Sequence, residues 1–238
     1  VSILLSVVLS GVFARLFEQE DFLLYNVLAR YFSFFQAVLS GMIGFGIIYV
    51  LKQQKDILHK IIASFSGFYV GFYVLILAIV LVFFQKDGLV FNTFHWSIFI
   101  IGSFWFLGES FKHMFNFLLR GNDQFNLANI YTLSINVIVI GLCIYLTWQF
   151  SMEYYEYQFM VGILAIVASF IVIFFIKDLK WSRPVFDVSL IRSILKFSVS
   201  RWIENIFRLL FIVALISYLT YIGEQDMAGY IAILFTLV

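Results

Sequence analysis

Long runs of apolar residues alternate with short polar segments along the whole chain. The runs cover residues 1–14, 23–51, 58–84, 93–119, 124–149, 157–177, 194–221 and 227–238. Apart from the first and the last, each is close to or above the roughly 20 apolar residues that a helix needs to cross a bilayer. The pattern therefore predicts an all-α polytopic membrane protein with eight membrane-spanning segments.

Composition indicates the same class of protein. Hydrophobic residues make up 63% of the chain and charged residues 12%, whereas about 25% of residues are charged in soluble domains. A soluble domain of this size has too little interior to bury so much apolar surface. Because the chain begins at Val1 and ends at Val238 inside apolar runs, we expect it to be a fragment of a longer protein.

Positive charge alternates between successive loops. The second, fourth and sixth loops are basic, with Lys52 in the second and Arg120 in the fourth, while Glu153 and Glu224 stand in odd-numbered loops that are neutral or acidic. Lys and Arg in short loops stay in the cytoplasm. The alternation therefore predicts that even-numbered loops and the N-terminus face the cytoplasm.

The sixth loop suggests a division of the chain. It is long, polar and basic, and it contains the only proline, Pro184. We expect residues 1–177 to form an N-terminal transmembrane lobe of six helices, the first truncated. Residues 178–193 would form a cytoplasmic linker along the membrane surface, with basic residues near anionic head groups. Residues 194–238 would begin a second, truncated lobe.

Charged and polar residues within the spans are the candidates for function. A charge at the centre of a membrane helix costs about 2.5–3.5 kcal/mol, and such residues usually face a bundle interior or a wet cavity. In the second span, Arg30 belongs to a helical stripe of polar and small residues that continues to Gly44. Arg30 either extends to the outer membrane interface or faces such an interior.

The fourth span carries Glu109 and Lys112, which are one helical turn apart and are predicted to pair. His113 lies next to them. Such a pair is either structural or lines a cavity, where Glu109 would exchange a proton with a transport path.

In the fifth span, polar residues including Asn129, Thr132 and Asn136 recur at steps of three or four. Their amides would hydrogen-bond either a neighbouring helix or the hydroxyls of a sugar.

The seventh span carries Arg201, Glu204 and Arg208 on one helical face. Two guanidinium groups and one carboxylate leave a surplus of positive charge, and the planar guanidinium fork suits phosphate. For Arg201, the alternative is that it simply extends the basic sixth loop to the membrane interface.

No sequence signal points to an enzyme. The histidines, His59, His95 and His113, do not pair with Cys, Asp or Glu at metal-ligand spacing. The chain has no glycine-rich phosphate loop, nucleophile elbow or zinc-protease helix. We therefore expect no catalytic residue, metal or cofactor, and no binding to nucleic acid.

Four stretches are similar to the polysaccharide flippase family, whose superfamily also contains multidrug and toxin extrusion transporters and lipid II flippases. They are the hairpin from Phe13 to Tyr25, with Leu24 where a glycine is usual; Gly41–Gly46 with its basic exit at Lys52; the turn Leu119–Phe125; and Leu195–Ser200, where Ser200 replaces the usual proline.

This resemblance implies twelve or more helices in two six-helix lobes, and alternating access around a central cavity. It implies that the protein moves lipid-diphosphate-linked oligosaccharide units to the outer leaflet of the bacterial cytoplasmic membrane, alongside polysaccharide polymerase and assembly proteins. The expected substrate-binding residues are Arg30, Lys112, Asn129, Arg201 and Arg208. Glu109 and Glu204 are expected to couple transport to protons or sodium.

Two other functions were weighed against the flippase. A drug–cation antiporter of the same superfamily would favour an acidic, aromatic cavity, whereas the charges within these spans are mainly basic. A membrane-embedded glycan polymerase or acyltransferase would need a large outer loop or a catalytic His/Asp/Arg set, and the odd-numbered loops here are short.

Overall fold

The protein is helical throughout the part of the chain that the structure describes. The structure is a computed structural model that describes residues 11–40, 43–86, 96–177, 179 and 186–237. Within these ranges there is no strand. The helices are α1 (11–16), α2 (Gln19–Ser40), α3 (Gly44–Gln53), α4 (Leu58–Lys86), α5 (Trp96–Gly121), α6 (Phe125–Ser134), α7 (Ile140–Phe150), α8 (Tyr154–Val172), α9 (Val188–Tyr221) and α10 (Gln225–Leu237).

Four helical segments are long and apolar enough to cross a membrane. They are Leu58–Ile79, Phe125–Phe150, Tyr154–Phe175 and Trp202–Tyr221. The all-α class and a membrane protein with several such helices are thereby confirmed, and the other four predicted spans stay predictions. Residues 1–10 of the first span, residues 87–95 between the third and fourth spans, and residues 178 and 180–185 of the predicted linker lie outside the described residues.

The second predicted span is not one helix. Within residues 23–51, α2 is described as far as Ser40, and a separate helix, α3, begins at Gly44 with Ile43 as its N-cap, so the break lies at Ile43. Glycine lowers helix stability by about 1 kcal/mol relative to alanine, and here it also permits close packing. A Cβ on Gly46 would lie 2.8 Å from Cγ2 of Ile194 on α9, so only glycine allows this approach.

Two further boundaries differ from the sequence prediction. Helix α9, which contains the seventh predicted span, begins at Val188, six residues before the predicted start of that span. The side chain of Asp187 caps the helix there by accepting a hydrogen bond from the N–H of Leu190. The fifth span is helical from Phe125 to Phe150, but a π-helical turn at Ile135–Val139 separates α6 from α7.

Helices α5 and α8 cross in close contact. Gly108 and Gly162 face each other, and a Cβ on Gly108 would lie 2.8 Å from the Cα of Gly162. Small residues at such a crossing let helix backbones approach, which is how helices associate within a bilayer. The core beside this crossing is aromatic, and Phe106 and Phe115 are fully buried.

The outer surface of the bundle is apolar as well. Phe174, Phe207, Phe211 and Trp148 are among its most exposed side chains, each more than 60% exposed. A helix bundle that is apolar both in its interior and on its outer surface is suited to the hydrocarbon core of a bilayer.

Candidate functional site

The Glu109–Lys112 pair predicted from the sequence is present on α5. Lys112 Nζ forms an ion pair with the Glu109 carboxylate, and the two side chains are only 11% and 14% exposed. His113 Nε2 lies 3.9 Å from Glu109 Oε2. Three ionisable groups thus meet on one side of a helix whose other residues form part of the aromatic core.

The pair is connected to the fifth predicted span. Lys112 Nζ donates to Oδ1 of Asn136 at 3.4 Å. One turn further along α5, Asn116 Nδ2 donates to Oγ1 of Thr132 at 2.6 Å. The structure therefore brings together two polar stripes that the sequence showed only separately.

The resulting polar network extends along α5 to its end. Arg120 Nε donates to Oδ1 of Asn116 at 2.6 Å. From Glu109 to Arg120 the network covers about 16 Å of helix, at 1.5 Å per residue. It thus leads from the interior of the fourth predicted span to the basic fourth loop.

The π-helical turn is the part of this network that the sequence does not show. Asn136 lies within it, and π turns in helices often occur at functional sites. No glycine or proline marks Ile135–Val139. The apolar and polar positions there fit an ordinary α-helix equally well, so hydrophobic periodicity could not have found it.

Arg30 lies at a contact between the two predicted lobes. It is partly buried on α2, and its Nε donates to the carbonyl oxygen of Ala232 on α10 at 3.1 Å. The neighbouring Tyr31 shares a 2.7 Å hydrogen bond with Oγ of Ser217 on α9.

A second polar contact joins α3 to α9. The backbone N–H of Gly46 on α3 donates to Oγ of Ser198 on α9 at 3.0 Å. Since α2 and α3 run antiparallel to α9, the break between α2 and α3 lies between this contact and Tyr31–Ser217. Sequence reasoning missed the role of Ser198, although the serine–glycine pairing is typical of close helix contacts.

The predicted cationic stretch of α9 lies alongside that break. Residues 201 to 208 fall between Ser198 and Ser217, the α9 residues of the two contacts. Positions 201 and 208 share the helical register of Ile194 and Ile212, which are buried. The side chains of Arg201 and Arg208 themselves lie outside the described part of the structure.

Two predicted site residues join neither the Glu109–Lys112 network nor the contacts around Arg30. Asn129 is exposed on α6, whose buried residues are Ala128 and Tyr131. Glu204 is exposed on α9. Their proposed roles in sugar binding and ion coupling stay predictions.

Comparisons of the chain with protein-family models, with curated proteins and with solved structures returned no match.

Proposed function

We propose that this chain is part of a flippase that moves lipid-diphosphate-linked oligosaccharide units across the bacterial cytoplasmic membrane for surface polysaccharide synthesis. The observation that carries the proposal is the interrupted helix α2–α3 beside the stretch of α9 with Arg201 and Arg208. Interrupted membrane helices commonly form the substrate sites of transporters.

The charge of this region suits a diphosphate. Arg201 and Arg208 outnumber the single acid of the stretch, Glu204. A guanidinium binds two phosphate oxygens at once and keeps its charge at any physiological pH. In the proposal, these groups and Arg30 receive the diphosphate, while Asn129 and Lys112 contact the glycan.

The Glu109–Lys112 pair is the proposed coupling element. A charged pair within a predicted membrane span is costly unless each group remains paired. Entry of a proton or sodium ion at Glu109 would release Lys112. The hydrogen bond from Lys112 to Asn136 on the π turn would then change as well. Glu204 is the second candidate for coupling.

A drug–cation antiporter is less well supported. Such a transporter favours an acidic, aromatic cavity, whereas the charges within the predicted spans are mainly basic. An embedded polymerase or acyltransferase is also less well supported, because it would need a large outer loop or a catalytic His/Asp/Arg set, and the odd-numbered loops of this chain are short.

The test is to replace Arg208 with Ala and measure surface polysaccharide in cells that depend on this protein. We expect a loss of surface glycan at unchanged protein abundance, and the same for Arg30→Ala. The matched control is Arg192→Ala, which removes an exposed arginine from the same helix. Normal glycan in both Arg30→Ala and Arg208→Ala cells would refute the proposed role of these residues.

A further inference from the structure

An apolar groove runs along the outer surface between α6 and α8. It has a volume of about 380 Å³. Its walls are almost wholly hydrocarbon, with Ile130 and Ile138 on one side and Ile171 and Phe175 on the other. Ser134 lies on its floor side as one of its few polar lining residues.

A polar pocket of about 510 Å³ adjoins one end of this groove. It is lined by the turn between α5 and α6, including Asn122 and Asp123, and by Lys177 beyond α8. Leu127 lines both the pocket and the groove, so the two lie next to each other.

Hydrogen bonds hold the pocket and the groove in a fixed relation. Gln124 Nε2 donates to the carbonyl oxygen of Phe175 at 3.2 Å, and Gln124 Oε1 accepts the N–H of Lys177 at 3.1 Å. Asn122 Nδ2 donates to the carbonyl oxygen of Lys177 at 3.0 Å. The end of the α8 segment is thereby fastened to the start of α6.

The pocket favours an anion. Lys177 is exposed at its edge. The negative charge of Asp123 is offset by an ion pair with Lys52. Lys177, Lys52 and Asp123 together carry one surplus positive charge.

The length of the groove along the helices matches the thickness of one leaflet of a bilayer. Both walls are candidate membrane spans, and the pocket lies where these spans begin and end, at Phe125 and Phe175. From Leu127 to Ile138 the groove extends about 16 Å at 1.5 Å per residue. Half of a hydrocarbon core is about 15 Å thick.

We propose that the groove and pocket bind one anionic phospholipid, with its phosphate near Lys177 and an acyl chain between α6 and α8. The site lies on the side that loop charge predicts to be cytoplasmic, where anionic lipids attract basic residues. This proposal is independent of the transported substrate, since it depends only on the insertion of these two helices in a membrane.

The test is lipid retention by the full chain. The protein is placed in nanodiscs of phosphatidylcholine with a minority of phosphatidylglycerol, then released into detergent, and bound lipid is counted by native mass spectrometry. We expect phosphatidylglycerol to be retained in preference to phosphatidylcholine. Lys177→Ala should lower its retention about fivefold, while Arg192→Ala, which removes an exposed cation outside the pocket, should not.

The groove is tested by Ser134→Phe, which fills it, and by Ile138→Trp at its exposed edge, where folding tolerates a larger side chain. Both substitutions should lower the retention of phosphatidylglycerol. Ile138→Trp should do so without changing the thermal unfolding temperature. Equal retention by the unmodified chain, Lys177→Ala and Ile138→Trp would overturn the proposal.

Two further outcomes identify another occupant and would also overturn it. Competition by water-soluble glycerol phosphate would mean that the pocket binds phosphate without the groove. Loss of a dimer in Ser134→Phe, with lipid retention unchanged, would mean that a second copy of the chain fills the groove.

Discussion

The backbone N–H of Gly46 on α3 donates to the hydroxyl of Ser198 on α9, and both residues are buried. Gly46 lies in the first turn of α3, where backbone N–H groups have no partner within their own helix. Ser198 supplies that partner from another helix. A buried hydrogen bond from another helix therefore satisfies one backbone group that the break at Ile43 leaves without a partner.

Ser198→Ala should destabilise the protein by about 1–3 kcal/mol, because it leaves the buried N–H of Gly46 without an acceptor. The measurement is thermal unfolding in detergent. Ser110→Ala is the matched control, since Ser110 is equally buried but its hydroxyl donates to Phe106 of its own helix. Equal destabilisation by the two substitutions would contradict the role of Ser198.

Replacing only one member of the Glu109–Lys112 pair should destabilise the protein more than replacing both. Lys112→Met removes the lysine from a largely buried carboxylate, which we expect to destabilise the protein by on the order of 3 kcal/mol. The double change Glu109→Gln with Lys112→Met should be close to neutral. Thermal unfolding of the single and double variants measures the difference.

The control for this pair is Lys52→Ala. Lys52 and Asp123 form an ion pair with side chains 44% and 45% exposed, and exposed pairs contribute less than about 1 kcal/mol. If the double variant is stable but inactive in surface polysaccharide formation, the pair acts in transport. If Lys112→Met proves no less stable than Lys52→Ala, the pair is not buried as the structure has it.

Gly162→Ala should separate α5 from α8. A Cβ at this position would lie 2.6 Å from the backbone nitrogen of Trp105, and backbone cannot move aside cheaply. Overpacking of this kind costs about 1–3 kcal/mol. Gly71→Ala is the comparison, because its Cβ would meet nothing within 4 Å. We expect it to be neutral or stabilising, since alanine favours helix.

The cap of α9 should respond to pH. Hydrogen bonds from the Ser189 hydroxyl and the Leu190 N–H hold the pKa of Asp187 below its usual value. Since the folded pKa is depressed, the contribution to stability is present above the unfolded value of about 3.9. It is lost as pH falls through the folded pKa.

Hydrogen exchange of the Leu190 amide, corrected for its intrinsic pH dependence, measures this effect. Protection should fall in acid for the unmodified chain. Asp187→Asn keeps an acceptor for the Leu190 N–H but does not titrate, so its protection should stay level. A fall of the same size in Asp187→Asn would assign the pH response to another group.

Hydrophobic runs and helical spacing were enough to predict the helical class, several membrane spans and the pairing of Glu109 with Lys112. These are local properties, because residues three or four apart on a helix are neighbours whatever the helix packs against. The interruption at Ile43 and the π turn at Ile135–Val139 were not predicted, because neither changes the run of apolar residues.

The sequence by itself determined which residues lie in apolar helices and which polar groups share a helix face, since both follow from 3.6 residues per turn. Only the tertiary structure decided which faces meet: Lys112 with Asn136, Gly46 with Ser198, and Arg30 with Ala232. Each of these contacts joins different helices. The spacing of residues along one helix carries no information about the identity of its neighbour, so the packing of close-fitting side chains and glycines had to supply it.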